Sequence, residues 1–337
     1  MTGKTTVLLI NLGTPKSPSV KDVRNYLFEF LNDRRVIDIP WLLRKILVNL
    51  IIVPFRAPKS AEIYRKLWTP DGSPLMIYGK KVKKLLQQEL GPDYNVELAM
   101  RYQEPSMKRV LRQIQQNMPE KLILLPLYPQ YASSTTGSSV DKAMEIIKEW
   151  EVIPEIKVVN QFFDRETYLD TIVSNAKKEN LSLFDHFLFS FHGLPLRQVN
   201  KVHPERNCRN CDCDKQFNRN GDYFCYRATC YETSRLLAEK LNIPKEKYTV
   251  AFQSRLDKDW LEPFADRVVK EKAKEGCKHL LVFSPAFVAD CLETTIEIGK
   301  EYNELFRENG GDTLTLVESL NDHPLWIKTL KDLVLEQ

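Results

Sequence analysis

The chain has 337 residues, 43% hydrophobic and 28% charged, a composition that excludes a disordered or collagen-like polymer. Its 49 basic and 45 acidic residues leave a net charge of +4, too balanced for bulk charge to argue for nucleic acid as a partner. Seven cysteines, an odd count, argue against a disulfide framework, and five of them crowd between Cys208 and Cys230.

The start, Met1-Thr2-Gly3-Lys4, runs straight into an apolar strand with no leader pattern, which predicts a cytoplasmic protein. Val7 to Pro15 reads as a first buried parallel strand closed by a Gly-Thr-Pro turn, and 19–32 has helical spacing. The stretch 36–58 is rich in Trp, Leu, Ile and Phe but is broken by Arg44-Lys45 and ended by Pro54. It is too short and charged to span a bilayer, leaving a core helix or an apolar rim lying on a membrane. A helix over 73–88, a strand over 94–102 and a helix over 107–116 precede a buried strand at 121–131. That strand empties into Ala132-Ser133-Ser134-Thr135-Thr136-Gly137, small hydroxyl residues ahead of a helix over 140–150, where backbone N–H groups favour an anionic group or serve as simple caps.

A short strand at 156–161 and a helix at 166–177 lead to Phe187-Leu188-Phe189-Ser190-Phe191-His192-Gly193-Leu194-Pro195. This buried strand delivers one histidine onto a Gly/Pro turn. Helices over 231–240, 261–272, 291–302 and 324–335 and strands over 248–253 and 279–287 complete the pattern. Repeated βα units of this kind predict an α/β fold of parallel sheets flanked by helices.

The two halves repeat each other. Asn11-Leu12-Gly13-Thr14-Pro15 matches Phe191-His192-Gly193-Leu194-Pro195, so Leu12 is the counterpart of His192. Eight residues beyond Pro126 stands Ser134, and eight beyond Pro285 stands Glu293. One half therefore carries ionisable residues where the other is apolar or neutral. Packing does not explain that asymmetry, whereas an imidazole near a carboxylate can move protons or hold a metal ion.

The sequence resembles ferrochelatases over most of its length. The resemblance rests on Leu9-Ile10-Asn11-Leu12-Gly13-Thr14-Pro15, Gly72-Ser73-Pro74-Leu75, Arg101-Tyr102, Leu127-Tyr128-Pro129-Gln130-Tyr131, Ser133-Ser134-Thr135-Thr136-Gly137, Phe189 to Pro195, Phe252-Gln253-Ser254-Arg255, Asp290-Cys291-Leu292-Glu293-Thr294 and Ser319-Leu320-Asn321. It implies two Rossmann-like, chelatase-type halves, 1–163 and 164–337, with a porphyrin cleft between them. The second carries a cysteine-rich insert at 203–230 and a C-terminal helix. It also implies insertion of ferrous iron into protoporphyrin IX, with His192 taking pyrrole protons or binding iron and Glu293 opposite it. Leu12, Arg101, Tyr102, Ser134 and Thr135 are the expected porphyrin contacts, and 36–58 becomes a lip on the inner face of a membrane.

Two departures stand out. Cys291 stands where some members have histidine, which slightly favours a porphyrin or haem carrier without catalysis as the alternative. Leu12 stands where members using coproporphyrin III tend to have tyrosine, which tilts the substrate toward protoporphyrin IX. Cys208, Cys211, Cys213, Cys225 and Cys230 have the spacing C-x2-C-x-C-x11-C-x4-C, which suits zinc or a [2Fe–2S] cluster on four of the five. The resemblance favours the cluster. Cys225 is preferred to Cys230 as fourth ligand, and His203 is a possible substitute.

Overall fold

The computed structural model describes residues 5–203, 207–209, 211–255 and 257–337. Residues 1–4, on which the leaderless reading rested, lie outside them, as do 204–206 and 210 of the cysteine segment. The chain forms two compact units, one running up to Gln161 and including Trp326–Gln337, the other Phe162–Leu325. The last helix, Pro324–Leu335, was expected with the second half. Nearly all of it belongs instead to the first unit, where Lys331 pairs with Glu89 at 3.1 Å. A reading taken in chain order has no signal for such a return.

The first unit is built on parallel strands β1 (Thr5–Asn11), β2 (Tyr94–Met100), β3 (Lys121–Pro126) and β4 (Glu155–Val158), in the order β2-β1-β3-β4. Val7, Leu8, Leu9 and Ile10 are all fully buried, so both faces of β1 are covered, which is why its sequence is continuously apolar. On one face Leu8, Ile10, Leu122 and Leu124 pack against Val110, Leu111, Ile114, Ala143 and Ile147 from the helices Met107–Gln116 and Ser138–Ile147. Each such aliphatic side chain stabilises the fold by roughly 1.5–3 kcal/mol. Local signals set the helix ends. Ser73 caps Pro74–Leu90, Pro74 opens it, and Gly91 stops it at φ +75°.

The second unit repeats the plan with β5 (His186–His192), β6 (Tyr248–Gln253), β7 (His279–Phe283) and β8 (Thr313–Leu316), in the order β6-β5-β7-β8. Its core sets Leu188, Leu280 and Val282 against Val268, Val269, Ile298 and Phe306. Backbone partners fix the equivalence of the two sheets. Asn11 pairs with Met100, whose N–H donates to Pro105 O. Phe191 pairs with Phe252, whose N–H donates to Pro263 O. Leu12 and His192 therefore occupy the same place in their respective sheets.

Several elements differ from the sequence expectations. The strand over 121–131 stops at Pro126 and gives way to a π-helix, Ser133–Gly137. The helix over 291–302 is a π-helix from Glu293 to Tyr302. The helix expected at 231 begins at Tyr226, so Cys225 is its N-cap and Cys230 lies inside it. The edge strand β8 was not read at all, because the Thr-Leu alternation of Thr313–Leu316 runs for only four residues.

Candidate functional site

His192 ends β5, a central strand of its sheet, and is half-buried. Its exit turn runs hard against β6. The Gly193 N–H donates to Gln253 O at 2.8 Å, and a Cβ on Gly193 would lie 2.8 Å from that same oxygen, so only glycine fits. His192 Nδ1 lies 2.7 Å from Gly193 O. A carbonyl can only accept, so Nδ1 carries the hydrogen and the neutral ring keeps its lone pair on Nε2. The backbone is clamped as well, since the Tyr226 hydroxyl donates to His192 O at 2.8 Å.

Glu293 is the first residue of the π-helix that follows β7, and Glu297 lies four residues on. π-Helical turns are uncommon and recur at functional sites. The Glu297 carboxylate accepts from Ser254 N at 3.0 Å, Ser254 Oγ at 2.5 Å, Tyr302 OH at 3.0 Å and Gln253 Nε2 at 3.3 Å. These bonds tie the π-helix to the end of β6, beside the strand that carries His192. Burial holds the Glu297 carboxyl above its ordinary range; the like charge of Glu293 adds to this, while Ser254 and His192 pull the other way. Glu297 thus feels both expected catalytic residues, and the sequence reading missed it. The signal was the four-residue spacing of Glu293, Glu297 and Glu301. Cys291 stands just ahead of this helix, its N–H donating to Thr294 Oγ1 at 2.9 Å, and burial pushes its thiol well above the ordinary range.

In the first unit Leu12 is half-buried just past β1, with its carbonyl accepting from Tyr102 N at 2.9 Å. Arg101 and Tyr102 converge on a residue that the sequence reading passed over, Asp33. Its carboxylate accepts from the Arg101 guanidinium, from Tyr102 OH at 2.9 Å and from Ser138 Oγ at 2.5 Å. Tyr102 is fully buried, so its hydroxyl is committed to this network. Burial pulls the Asp33 carboxyl up, but Ser138, the Arg35 amide, Arg101 and Tyr102 together bring it below its ordinary value. Ser134 and Thr135 are half-buried in the π-helix Ser133–Gly137.

The apolar stretch folds as a helix at Trp41–Ile46, a π-helix at Leu47–Ile52 and a helix at Val53–Leu67. Its large side chains face out, with Trp41 at 64%, Leu50 at 68% and Phe55 at 76% exposed, so a core helix is ruled out for this stretch. Val48 and Val53 turn inward, and Arg44 is buried too, with Nη1 donating to the carbonyls of Ile37 and Ile39. Among the described residues no helix is long and apolar enough to cross a membrane.

Cys208, Cys211, Cys213 and Cys225 line one small enclosed space together with His203, and Cys230 is not among its lining residues. Cys211 Sγ and Cys213 Sγ are 3.2 Å apart. Burial and the neighbouring Cys211 push the Cys208 thiol up to about 12, and the Cys225 thiol and burial raise Cys213. The donor set fits a thiolate-bound metal group. As placed, however, no three His, Cys, Asp or Glu side chains among the described residues are arranged to hold a metal ion.

A family model described as ferrochelatase matches residues 4–337. The chain is 44% identical over 331 residues to a ferrochelatase of Coxiella burnetii, covering 96% of this chain and 91% of that one. It is 41% identical over 335 residues to a ferrochelatase of Legionella pneumophila, covering 98% of each. Among solved structures it is similar to SirB from Bacillus subtilis with Fe3+, at a TM-score of 0.56 and 11% identity, over 100% of this chain and 95% of that one. A second SirB structure, a sirohydrochlorin chelatase in complex with cobalt, gives 0.54 at 10% identity with the same coverage. These two likenesses speak for the fold alone. With the family match running along almost the whole chain, and close relatives covering nearly all of it, the chain belongs to the ferrochelatase family.

Proposed function

We propose that the chain inserts ferrous iron into protoporphyrin IX to form protohaem, with His192 as the first proton acceptor. The observation that carries this is the Nδ1–H bond to Gly193 O, which turns Nε2 into the basic nitrogen of an imidazole held on a rigid strand end. Metallation releases two pyrrole N–H protons as Fe2+ takes their place. An imidazole with a reference pKa of about 6.5 can accept one near neutral pH. Glu297, held above its ordinary range, suits the passing on of protons, and Glu293 beside it offers a carboxylate to iron or to the second proton. Leu12, Ser134 and Thr135 remain assigned to porphyrin binding. Arg101 and Tyr102 support that surface through Asp33 rather than reaching out from it.

His192→Ala should lower metallation of protoporphyrin by about 10²–10⁴-fold with unchanged circular dichroism. Turnover near that of the parent protein would overturn the assignment, and tight porphyrin binding without any insertion by the parent would favour a carrier. Faster metallation of coproporphyrin III than of protoporphyrin IX would overturn the substrate choice that Leu12 suggests.

Two finer readings go with this function. The four cysteines that line one space support a [2Fe–2S] cluster on Cys208, Cys211, Cys213 and Cys225, with structural zinc as the alternative. The exposed Trp41, Leu50 and Phe55 support peripheral attachment to the inner face of a membrane, since apolar side chains above half exposure gain by entering the headgroup region. Replacing Leu50 and Phe55 by serine should weaken co-sedimentation with lipid vesicles several-fold. Undiminished binding would remove the lip from the account.

A further inference from the structure

Arg227 sits in the first turn of the helix Tyr226–Leu241, directly after the N-cap Cys225, and only 12% of its side chain is exposed. Its Nη1 is 3.0 Å from Cys211 Sγ and 3.2 Å from Cys213 Sγ, and 3.2 Å from the carbonyl oxygens of both Cys208 and Cys211. One nitrogen with two hydrogens cannot serve four acceptors fully. The two sulfurs are the ones that strengthen most when they become thiolates, because an ionised acceptor makes a shorter and stronger bond. Asp214 pairs with Nη2 at 3.7 Å, and the guanidinium lies 5.2 Å from the centre of the Tyr231 ring.

We propose that Arg227 is a positioning residue for the metal group of the cysteine segment: its guanidinium gathers Cys211 and Cys213, offsets their charge, and so raises the group's affinity for an electron and slows its loss. This rests on the cluster reading above. Hydrogen bonds and positive charge at ligating sulfurs set cluster potential, so the effect is read there and not in porphyrin turnover. Cys211 and Cys213 also line an open pocket of about 440 Å³, through which a chelator can reach them.

The test uses full-length protein purified without oxygen, its iron and acid-labile sulfide measured, and its visible and dithionite-reduced electron paramagnetic resonance spectra followed during a redox titration. Arg227→Gln should bind the electron about tenfold more weakly, about 59 mV for a one-electron couple, and lose its cluster to a ferrous chelator about tenfold faster. Arg227→Lys keeps the charge but not the planar fork, so it should hold the potential near that of the parent and still lose the cluster several-fold faster. Parental potential and parental loss rate in Arg227→Gln would overturn the proposal. Should that variant fail to fold, both quantities unchanged in Arg227→Lys overturn it equally. Parent protein that carries zinc, or neither iron nor sulfide, overturns the cluster reading instead, an outcome separate from any result with the variants.

Discussion

The two units lay out the same four parallel strands and then handle charge differently at the strand ends. Where β1 runs into Leu12, β5 ends in His192. Where β3 leads to the short π-helix Ser133–Gly137, β7 leads to the ten-residue π-helix opened by Glu293. The half-buried carboxylates Asp33 and Glu297 diverge in the same sense. Asp33 in the first unit is matched by the Arg101 guanidinium and two hydroxyls, and its charge is thereby settled. Among the described residues Glu297 in the second unit receives bonds only from neutral donors, and burial leaves it reluctant to ionise. One scaffold thus serves two ends. The first unit's ion pair holds a loop in place, and the second unit sets a histidine and glutamates there, which the proposed function uses as acid and base groups.

The strongest way to break this comparison is to remove Asp33. Asp33→Ala leaves Arg101, 13% exposed, beside Ser138 with no carboxylate, and stranding one partner of a buried pair costs about 3–5 kcal/mol. Urea unfolding should show the loss at neutral pH. The folded-state carboxyl lies below 3.8, so its contribution is present above that value and is lost as pH falls from there through the lower folded value. The gap between parent and variant should therefore narrow only in strong acid. Metallation per folded molecule should survive in the variant. Its complete loss in protein that is still folded would mean that the first unit's charges are not structural after all.

Much of this division was legible in the sequence because it rides on strong periodic signals. Buried parallel strands are continuous apolar runs closed by Gly and Pro, so β1, β5 and the repeat that equates Leu12 with His192 could be read directly. What escaped had a physical reason. Asp33 lies in Asn32-Asp33-Arg34-Arg35, which looks like a solvated charge run until the fold brings Arg101 and Ser138 to it over long stretches of chain. Glu297 is one of three evenly spaced glutamates that an exposed helix would show equally well. Only the approach of Ser254 and Tyr302 sets it apart. The C-terminal helix carries no local mark of the unit it joins.

A subtler way to sharpen the comparison is Glu297→Gln, for which activity and stability should move in opposite directions. Because the folded-state carboxyl is raised above 4.5, it favours the folded protein fully below that pH. That contribution is lost as pH rises through the higher folded value, and at neutral pH the ionised group is a burden on the fold. A neutral amide removes the burden. The hydroxyls of Ser254 and Tyr302 can turn to suit it, whereas Gln253 Nε2 would face a second donor and cancel part of the gain. Thermal unfolding near pH 8 should rise slightly, by about 1 kcal/mol or less, with no gain at pH 4. Metallation should fall about tenfold, or about 1.4 kcal/mol in the barrier, if Glu297 passes protons between His192 and solvent. A variant that loses both stability and activity near pH 8 would place Glu297 with Asp33 as a fastening of the fold, and the contrast between the units would then rest on His192 and Glu293 alone.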